Sequence, residues 1–338
     1  MRRKRNVPII RPPAKAATRP KWPALGGNLV RLQQWTQYWI KDPLEGALEF
    51  AAYYLFRVLP VSICSEIGAL RGRFTGSARR EAEKHAQNAL RIISSTTSPA
   101  QVDALLRQLH RNSGRALLET LVMDRIWKNG RVIVQPASRI NVIGNPQQAR
   151  IFVSVHTGNL GDLLGMCLMQ LSGFRGMTVS RRQPNRFRQR LSERLRSKHG
   201  AAVLEPSLRT TRLLLRHLRD DCGAVLIHLD EARGRQVYFP TFGRPMPYGS
   251  NLSLAIRLAA ATGTVLTPVY LKRNTKCQFE LHIEDDIAPV SPDDEDGQAA
   301  LAHMLDQLFE AVVRDQLHDW QQLYFVRAGA SPHCKPVS

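Results

Sequence analysis

The spacing of hydrophobic residues changes character at about residue 130. Before that point, from about residue 28, apolar residues recur at i, i+3 and i+4 with charged residues between them. The segments SARREAEKHAQNALRII and SPAQVDALLRQLHRNSGRALLETLVMDRIW are the clearest examples. This period is that of amphipathic helices. Ser98, followed by Gln101 and Asp103, marks a helix start.

From about residue 131, short runs rich in β-branched residues alternate with helical patterns. The predicted strands are RVIVQ, RINVIG, RIFVSVH, GMTVSR, AAVLEP, GAVLIHLD, VLTPVYLKR and QFELHIED. Four predicted helices separate several of them: Leu160–Leu171, Arg186–His199, Ser207–Arg219 and Asn251–Thr262. Such alternation predicts an α/β fold with a mixed, largely parallel central sheet flanked by helices. In such sheets, ligands bind beyond the carboxyl ends of the strands.

Charge divides the chain further. The formal net charge is +20, and ten Lys and Arg residues precede the first acidic residue, Asp42. We therefore predict a disordered, basic, Pro-rich arm over residues 1–27, a helical region over 28–130, an α/β core over 131–327 and a flexible tail over 328–338. No apolar segment of 7–15 residues follows the basic start, which argues against a secretory signal peptide.

The most apolar stretch of the helical region is residues 43–74, and it is interrupted too often to span a membrane. Its interruptions are Glu45, Glu49, Arg57, Pro60 and Glu66. The pattern fits helices that lie in a membrane interface, with Tyr53, Tyr54 and Phe56 at headgroup level. It fits equally a pair of helices packed on a soluble core.

The five cysteines are scattered, odd in number and form no CxxC pair or zinc spacing. We therefore expect a reducing compartment, no metal and no cofactor. No GxGxxG or Walker A segment follows a predicted strand, which argues against a nucleotide enzyme.

The segment IFVSVHTGNLGDLLG (151–165) places His156 and Asp162 beyond the end of a strand buried on both faces. The histidine is a candidate general base beside the backbone N–H groups of a helix start. Asp162 is a candidate to orient the imidazole, as in a catalytic triad. Alternatively, Asp162 only complements the helix N-terminus and His156 is an ordinary half-buried histidine.

Two further segments favour a catalytic site. Arg181 ends the predicted strand GMTVSR at the same edge of the sheet and is suited to bind phosphate or carboxylate. Asp230 ends another buried strand and is followed by the distinctive segments EARGR and FPTFGRP.

These segments together resemble the bacterial lipid A biosynthesis late acyltransferases, the lauroyl and myristoyl transferases. The matching stretches are HTGNLGD, SRRQPN, LDEARGR, YFPTFGRP and AIRLAAATGTVLTPVYLKR, and the resemblance covers roughly residues 45–327. In one respect the chain departs from the pattern: the family's acid stands five residues after the histidine, where this chain has Gly161. Asp162 could substitute, Asp230 could be the only carboxylate available to His156, or the enzyme could be weak or altered. Leu160 also replaces the family's usual tryptophan.

The resemblance implies a membrane-associated O-acyltransferase with His156, Asp162 and Asp230 in catalytic roles. Arg181, Asn185, Gly158, Asn159 and Arg233 would bind substrate or the oxyanion. The acyl donor would be a thioester of acyl carrier protein or CoA, and the acceptor a glycolipid or lysophospholipid at an anionic membrane surface. The implied location is the cytoplasmic face of the bacterial inner membrane. Two alternatives remain open: a catalytically silent paralogue that binds lipid or acyl carrier protein, and, more distantly, a nucleic-acid-binding protein, for which no aromatic stacking motif is present.

Overall fold

A computed structural model describes most of the chain. The described residues are 20, 29–77, 80–93, 98–145, 148–173, 176–197, 202–233, 236–247 and 249–327. The predicted arm, apart from residue 20, and the predicted tail lie outside them.

The first third of the described chain is helical. Its helices are α1 (Leu29–Thr36), α2 (Asp42–Val58), α3 (Val61–Ser77), α4 (Arg80–Ile93), α5 (Pro99–Glu119) and α6 (Met123–Lys128). A π-helical turn, Gln37–Lys41, joins α1 to α2, and a 3₁₀ turn, Thr120–Val122, joins α5 to α6. Ser98 begins α5 in a reciprocal capping box with Gln101, as the sequence predicts.

Helices α3 and α5 cross at unusually close range. An ideal Cβ atom added at Gly114 would lie 2.1 Å from the carbonyl oxygen of Gly68 and 2.7 Å from Cα of Gly72. Only glycine allows the two backbones to approach this closely. The crossing therefore depends on the absence of side chains at these three positions.

The remainder alternates between strands and helices. The strands are β1 (Val132–Gln135), β2 (Arg150–Ser154), β3 (Gly176–Val179), β4 (Ala202–Leu204), β5 (Ala224–His228), β6 (Ala232–Arg233), β7 (Gln236–Val237), β8 (Leu266–Thr275) and β9 (Gln278–Ile283). The helices are α7 (Arg139–Ile143), α8 (Asp162–Ser172), α9 (Arg186–Ser197), α10 (Leu208–Asp220), α11 (Asn251–Thr262) and α12 (Glu295–Asp315). A 3₁₀ turn, Gln321–Phe325, follows α12.

Seven strands form the central sheet in the order β1-β9-β8-β2-β5-β3-β4, and β6 and β7 form a separate antiparallel hairpin. Every neighbouring pair in the central sheet is parallel except β8 and β9. The predicted fold class, a mixed and largely parallel sheet flanked by helices, is therefore confirmed.

One predicted strand is wrong. The run RINVIG forms helix α7 rather than a strand. A five-residue apolar run does not distinguish the two by periodicity. Here a turn between Pro136 and Arg139 starts the helix, and the i, i+3 pair Ile140 and Ile143 packs in the core. The long helix α12 and the hairpin of β6 and β7 are additional elements, absent from the prediction.

The sheet separates two hydrophobic clusters because successive side chains of a strand point to opposite faces. On β2, Ile151 and Val153 join one cluster, with residues of α4, α10, α11 and α12. Phe152 joins the other, with residues of α2, α3, α6, α8 and α9. All five residues of β2 are buried, as predicted for a strand covered on both faces.

The outer surface of the helical region carries exposed apolar side chains at helical spacing. On α2 the exposed residues include Leu44, Leu48, Leu55 and Val58, and on α3 they include Ile63, Ile67, Leu70 and Phe74. Of the three aromatic residues expected at headgroup level, Tyr54 is exposed, but Tyr53 and Phe56 are buried in the core. Among the described residues, no helix combines the length and the apolar character needed to cross a membrane.

Candidate active site

The register of two adjacent strands brings His156 and Asp230 together. Strands β2 and β5 are parallel neighbours, with Ser154 opposite His228. Two residues beyond each strand end, His156 and Asp230 are therefore opposite one another at the carboxyl edge of the sheet. This is the edge where ligands bind in parallel α/β folds.

The side chains of this pair are in direct contact. Nδ1 of His156 lies 2.7 Å from Oδ1 of Asp230, and the backbone N–H of His156 donates to Oδ2 at 2.9 Å. Asp230 is fully buried, whereas 23% of the His156 side chain is exposed. Since Nδ1 faces the carboxylate, Nε2 is the ring nitrogen that remains for proton transfer.

The electrostatics of the pair favour a charged imidazolium. Burial disfavours charge on His156, but the charge of Asp230 and its hydrogen bond outweigh burial and raise the pKa of His156 above its ordinary value. Burial would likewise raise the pKa of Asp230, but His156 opposes this and holds that pKa below its ordinary value. The contact thus pairs the imidazole with an ionised carboxylate, as in a catalytic triad.

A second histidine lies against the first. The ring of His228 stacks on that of His156, with ring centroids 4.1 Å apart and planes inclined by 24°. Burial, reinforced by the neighbouring His156, lowers the pKa of His228 to about 3, so its ring stays neutral. The structure thus places a neutral imidazole against the candidate base.

The loop after His156 is held from behind. Gly158 has φ +71°, and an ideal Cβ there would lie 2.8 Å from the carbonyl oxygen of Leu271. The Gly158 carbonyl accepts a hydrogen bond from Nη2 of Arg273 at 2.6 Å. Asn159 is 1% exposed. Neither Gly158 nor Asn159 lines the cleft described below.

Arg273 belongs to a buried ionic network. Its guanidinium donates to both carboxylate oxygens of Glu119 at 2.8 Å and, through Nε, to Asp319 at 3.0 Å. Such a two-pronged pair fixes the guanidinium plane. Helix α5, strand β8 and the segment after α12 are thereby joined directly behind the His156 loop.

Asp162 lies at the start of α8 but contacts Arg196 rather than His156. Its Oδ1 accepts a hydrogen bond from Nε of Arg196 at 2.6 Å. Gly161, at the position of the family's acid, has φ +87°, and an ideal Cβ there would lie 2.7 Å from Nε2 of His228. The ring of His228 therefore fills the space beside residue 161.

Asn185 starts helix α9 and joins it to α2. Its Oδ1 accepts from the backbone N–H of Phe187 at 2.9 Å, and its Nδ2 donates to the carbonyl of Asp42 at 3.2 Å. It is buried and does not line the cleft. The predicted substrate-binding residue is thus placed in a helix cap.

The arginines of α9 continue this attachment. Arg188 donates through Nε to Glu49 at 2.6 Å, and Arg194 donates to the hydroxyl of Tyr54 at 3.0 Å. Both partners lie on α2. These basic residues of α9 therefore attach the helical region to the core.

His156 opens into a cleft of about 1040 Å³. Its apolar lining residues are Met123, Leu160, Met166, Val179, Val203, Leu214, Leu226 and Leu254. Its polar lining residues include Ser180, Arg181, Gln183, Arg233, Ser250 and Asn251. The cleft can hold an acyl chain beside a charged or hydroxylated group. Within the described part of the chain, no group of three or more His, Cys, Asp or Glu side chains is placed to hold a metal ion.

Glu231 also lines the cleft, although it was not among the site residues predicted from the sequence. Its Oε1 accepts from the backbone N–H of Asn251 at 2.8 Å and lies 2.9 Å from Nη2 of Arg233. Burial raises the pKa of Glu231 to about 7. Its position immediately after Asp230 was the available signal.

Comparison with known proteins identifies the family. Residues 34–324 match the family model described as bacterial lipid A biosynthesis acyltransferase. No curated protein matches the chain. One similar solved structure is the crystal structure of the 1-acyl-sn-glycerophosphate (LPA) acyltransferase PlsC from Thermotoga maritima. It has 12% identity and a TM-score of 0.37, and the match covers 74% of this chain and 99% of that one.

The matched residues make up most of the chain and include every residue of the cleft and its supports. The chain therefore belongs to the bacterial lipid A biosynthesis acyltransferase family and is an acyltransferase that acts on lipid substrates.

Proposed function

We propose that the protein transfers a fatty acyl chain from an acyl thioester to a hydroxyl of a glycolipid such as a lipid A precursor. The donor would be a thioester of acyl carrier protein or of CoA. The observation that carries this proposal is the contact between His156 and Asp230 beside a cleft lined by both apolar side chains and arginines. No cofactor is required.

In the proposed reaction, Nε2 of His156 removes the proton of the acceptor hydroxyl as its oxygen attacks the thioester carbonyl. Asp230 stabilises the imidazolium that forms. When the tetrahedral intermediate collapses, the C–S bond breaks and the imidazolium returns its proton to the departing thiolate. The products are an ester and a free thiol, and His156 is again neutral.

The oxyanion would be stabilised by the first turn of α8. Gly161 precedes this helix without a side-chain cap, so its first N–H groups remain available. Gly161, Asp162 and Gly165 line the cleft beside His156, which brings this turn to the reacting carbonyl. Gly158 and Asn159 would act indirectly, by shaping the turn.

Arg181 and Arg233 would bind a phosphate of the donor or the acceptor. Both line the cleft, and planar guanidinium groups bind phosphate through two parallel hydrogen bonds. Asn185 would contribute by fixing the start of α9. Asp162 would hold Arg196 at the rim of the cleft, and its negative charge would help to stabilise the imidazolium of His156.

The exposed apolar faces of α2 and α3 would dock on an anionic membrane, at the cytoplasmic face of the bacterial inner membrane. Leu44, Leu48 and Leu55 are each more than half exposed and follow one face of α2. A patch of this kind on a basic protein is typical of interfacial membrane binding.

The activity is tested by supplying acyl carrier protein and CoA thioesters of several chain lengths with a detergent-dispersed lipid A precursor. Wild type should form the ester, and His156→Ala should not. A folded wild type that is silent with every donor and acceptor would overturn the proposal and favour a lipid- or carrier-binding paralogue. The contact between His156 and Asp230 argues against that alternative. The histidine has a carboxylate partner even though residue 161, the position of the family's acid, is glycine.

Membrane docking is tested with vesicles containing anionic lipid. Leu48→Glu with Leu55→Glu should reduce sedimentation with the vesicles at least about tenfold. Met304→Glu is a matched control, because Met304 is 51% exposed on α12. Equal losses in the control, or none in the double variant, would contradict docking through α2. Equally tight binding to DNA of the same charge density would support the nucleic-acid alternative.

A further inference from the structure

Two adjacent residues near the end of the described chain, Asp319 and Trp320, are each linked to the surroundings of His156 through one intervening side chain. Trp320 is fully buried, and its indole Nε1 donates to Oδ2 of Asp230 at 2.9 Å. Asp319 accepts from Nε of Arg273 at 3.0 Å, and Arg273 in turn holds the carbonyl of Gly158. One dipeptide thus reaches both the partner of the base and the turn that follows the base.

The indole bond has a distinct place among the contacts of Asp230. Oδ1 faces the ring of His156, while Oδ2 accepts the backbone N–H of His156 and the indole N–H. Of these three donors, only the indole comes from outside the two strands that carry the pair. It therefore restrains the rotation of the carboxylate independently of His156.

Trp320 is itself held in a defined orientation. The ring of Phe242, a residue of the FPTFGRP segment, packs on it edge to face at 5.7 Å and 61°. Asn112 of α5 donates to the carbonyl of His318 at 3.1 Å and fixes the chain just before the dipeptide. The FPTFGRP segment thus contacts the ring whose N–H donates to Asp230.

We propose that Asp319 and Trp320 form a positioning element for the active site: Trp320 orients the Asp230 carboxylate toward His156, and Asp319 holds the Gly158 turn through Arg273. This inference rests on the proposed function, in which His156 is the base. Neither residue needs to touch substrate.

The direction of the effect on His156 follows from charge. The indole N–H withdraws negative charge from the Asp230 carboxylate, so its loss makes that carboxylate a stronger partner for the imidazolium. The pKa of His156 should then rise. The other groups that act on the two stacked rings are Asp162 of α8, Glu231 after β5 and Arg196 of α9, besides His228 itself. All of them are unchanged in the variants below.

The test compares Trp320→Phe with replacement of Trp320 by 3-benzothienylalanine, an isostere that keeps the ring shape and has no N–H donor. Both should lower kcat by about tenfold to a hundredfold with KM within about twofold, as expected for one lost hydrogen bond to a charged group. The acid limb of kcat/KM should move to higher pH in both. Asp319→Asn should also lower kcat, but it should leave the acid limb of kcat/KM at the pH of wild type.

Trp127→Phe is the matched control, since Trp127 is a half-buried indole packed in the other hydrophobic cluster. It should leave kcat and the pH profile unchanged. If the benzothienyl variant keeps the kcat and the pH limb of wild type, the proposal is wrong, and Trp320 only fills space.

A readout without substrate separates this inference from the proposed function. The ring of His156 is titrated by NMR in protein labelled at histidine, with its signal assigned by its loss in His156→Ala. A rise of the His156 pKa in the benzothienyl variant supports the positioning role even if no thioester is a donor. An unchanged titration refutes that role even if wild type transfers acyl chains.

Discussion

The carboxylate of Asp162 lies 2.6 Å from Nε of Arg196, and no hydrogen bond among the described residues joins it to His156. The acid nearest to the family's position in sequence is therefore engaged elsewhere, and the acid 74 residues away in sequence contacts the ring. The two carboxylates should accordingly differ in their importance for activity.

Asp230→Asn is expected to lower kcat by about 10²–10⁴-fold, because the amide can neither hold the required tautomer nor stabilise the imidazolium. Asp162→Asn should cost less than about tenfold, since it weakens a half-buried ion pair at the rim. Steady-state rates with the best thioester donor decide between them, with thermal melts to show that both variants fold. A larger loss in Asp162→Asn would assign the orienting role to Asp162.

The pH dependence of kcat/KM should report His156. Since its pKa is raised above 6.5 by Asp230, the acid limb should have its midpoint above 6.5. In Asp230→Asn the remaining activity should have a midpoint at lower pH, because burial then acts on His156 without the opposing charge. A limb that stays in place in this variant would mean that another group titrates.

Gly161→Ala is expected to lower activity by more than about tenfold, because its Cβ would displace the stacked rings of His228 and His156. Gly173→Ala is the matched control. Gly173 also has positive φ, at +65°, but an added Cβ there meets nothing within 4 Å. Both should lose about 1–2 kcal/mol of stability from the left-handed backbone. Only Gly161→Ala should lose activity, and equal activity in the two variants would contradict the packing argument.

Gly114→Ala should destabilise the protein by about 1–3 kcal/mol or more, because the added methyl meets backbone atoms of α3 that cannot move aside. Gly165→Ala, within α8, provides the contrast. Its Cβ would lie 3.5 Å from Leu226, an ordinary contact, and the change should stabilise the helix by up to about 1 kcal/mol. Chemical denaturation of both variants measures the difference.

Glu231→Gln should alter the pH dependence of stability. The folded pKa of Glu231 is raised from 4.5 to about 7, so the folded state holds its proton more tightly than the unfolded state. The resulting stability is complete below about pH 4.5 and is lost as pH rises through about 7, by at most about 3 kcal/mol. Glutamine does not ionise, so the variant should gain stability relative to wild type between pH 5 and pH 8.

Thermal melts across this range measure that gain. Glu280→Gln should show the opposite sign, because the hydrogen bond from Asn274, assisted by His282, lowers the pKa of Glu280. A variant at residue 231 that parallels wild type at every pH would contradict the buried position of the carboxyl.

The outline of the site could be predicted because it depends on local patterns. Apolar runs that end in His156, Arg181 and Asp230 place these residues at one edge of a parallel sheet, whichever strands are neighbours. The choice between Asp162 and Asp230 could not be predicted, because it depends on the pairing of β2 with β5. That pairing joins segments 74 residues apart.

The residues that support the site could not be predicted for the same reason. Trp320 and Asp230 are 90 residues apart, and Arg273 and Glu119 are 154 residues apart. Nothing near Trp320 in sequence distinguishes it from an ordinary buried tryptophan. The strand predicted over Arg139–Ile143 was wrong for a local reason, because the length and composition of this run suit a strand and a helix alike.

Helix α9 gives the N-terminal helices a second role besides the proposed membrane docking. One end of α9 is pinned to α2 through Asn185 and Arg188, and the other holds Asp162 at the rim of the cleft through Arg196. A shift of α2 against the core would therefore displace α9, and with it the wall of the cleft that α9 holds. A truncated enzyme that begins after α2 should therefore have a lower kcat even in detergent solution, where membrane docking plays no part.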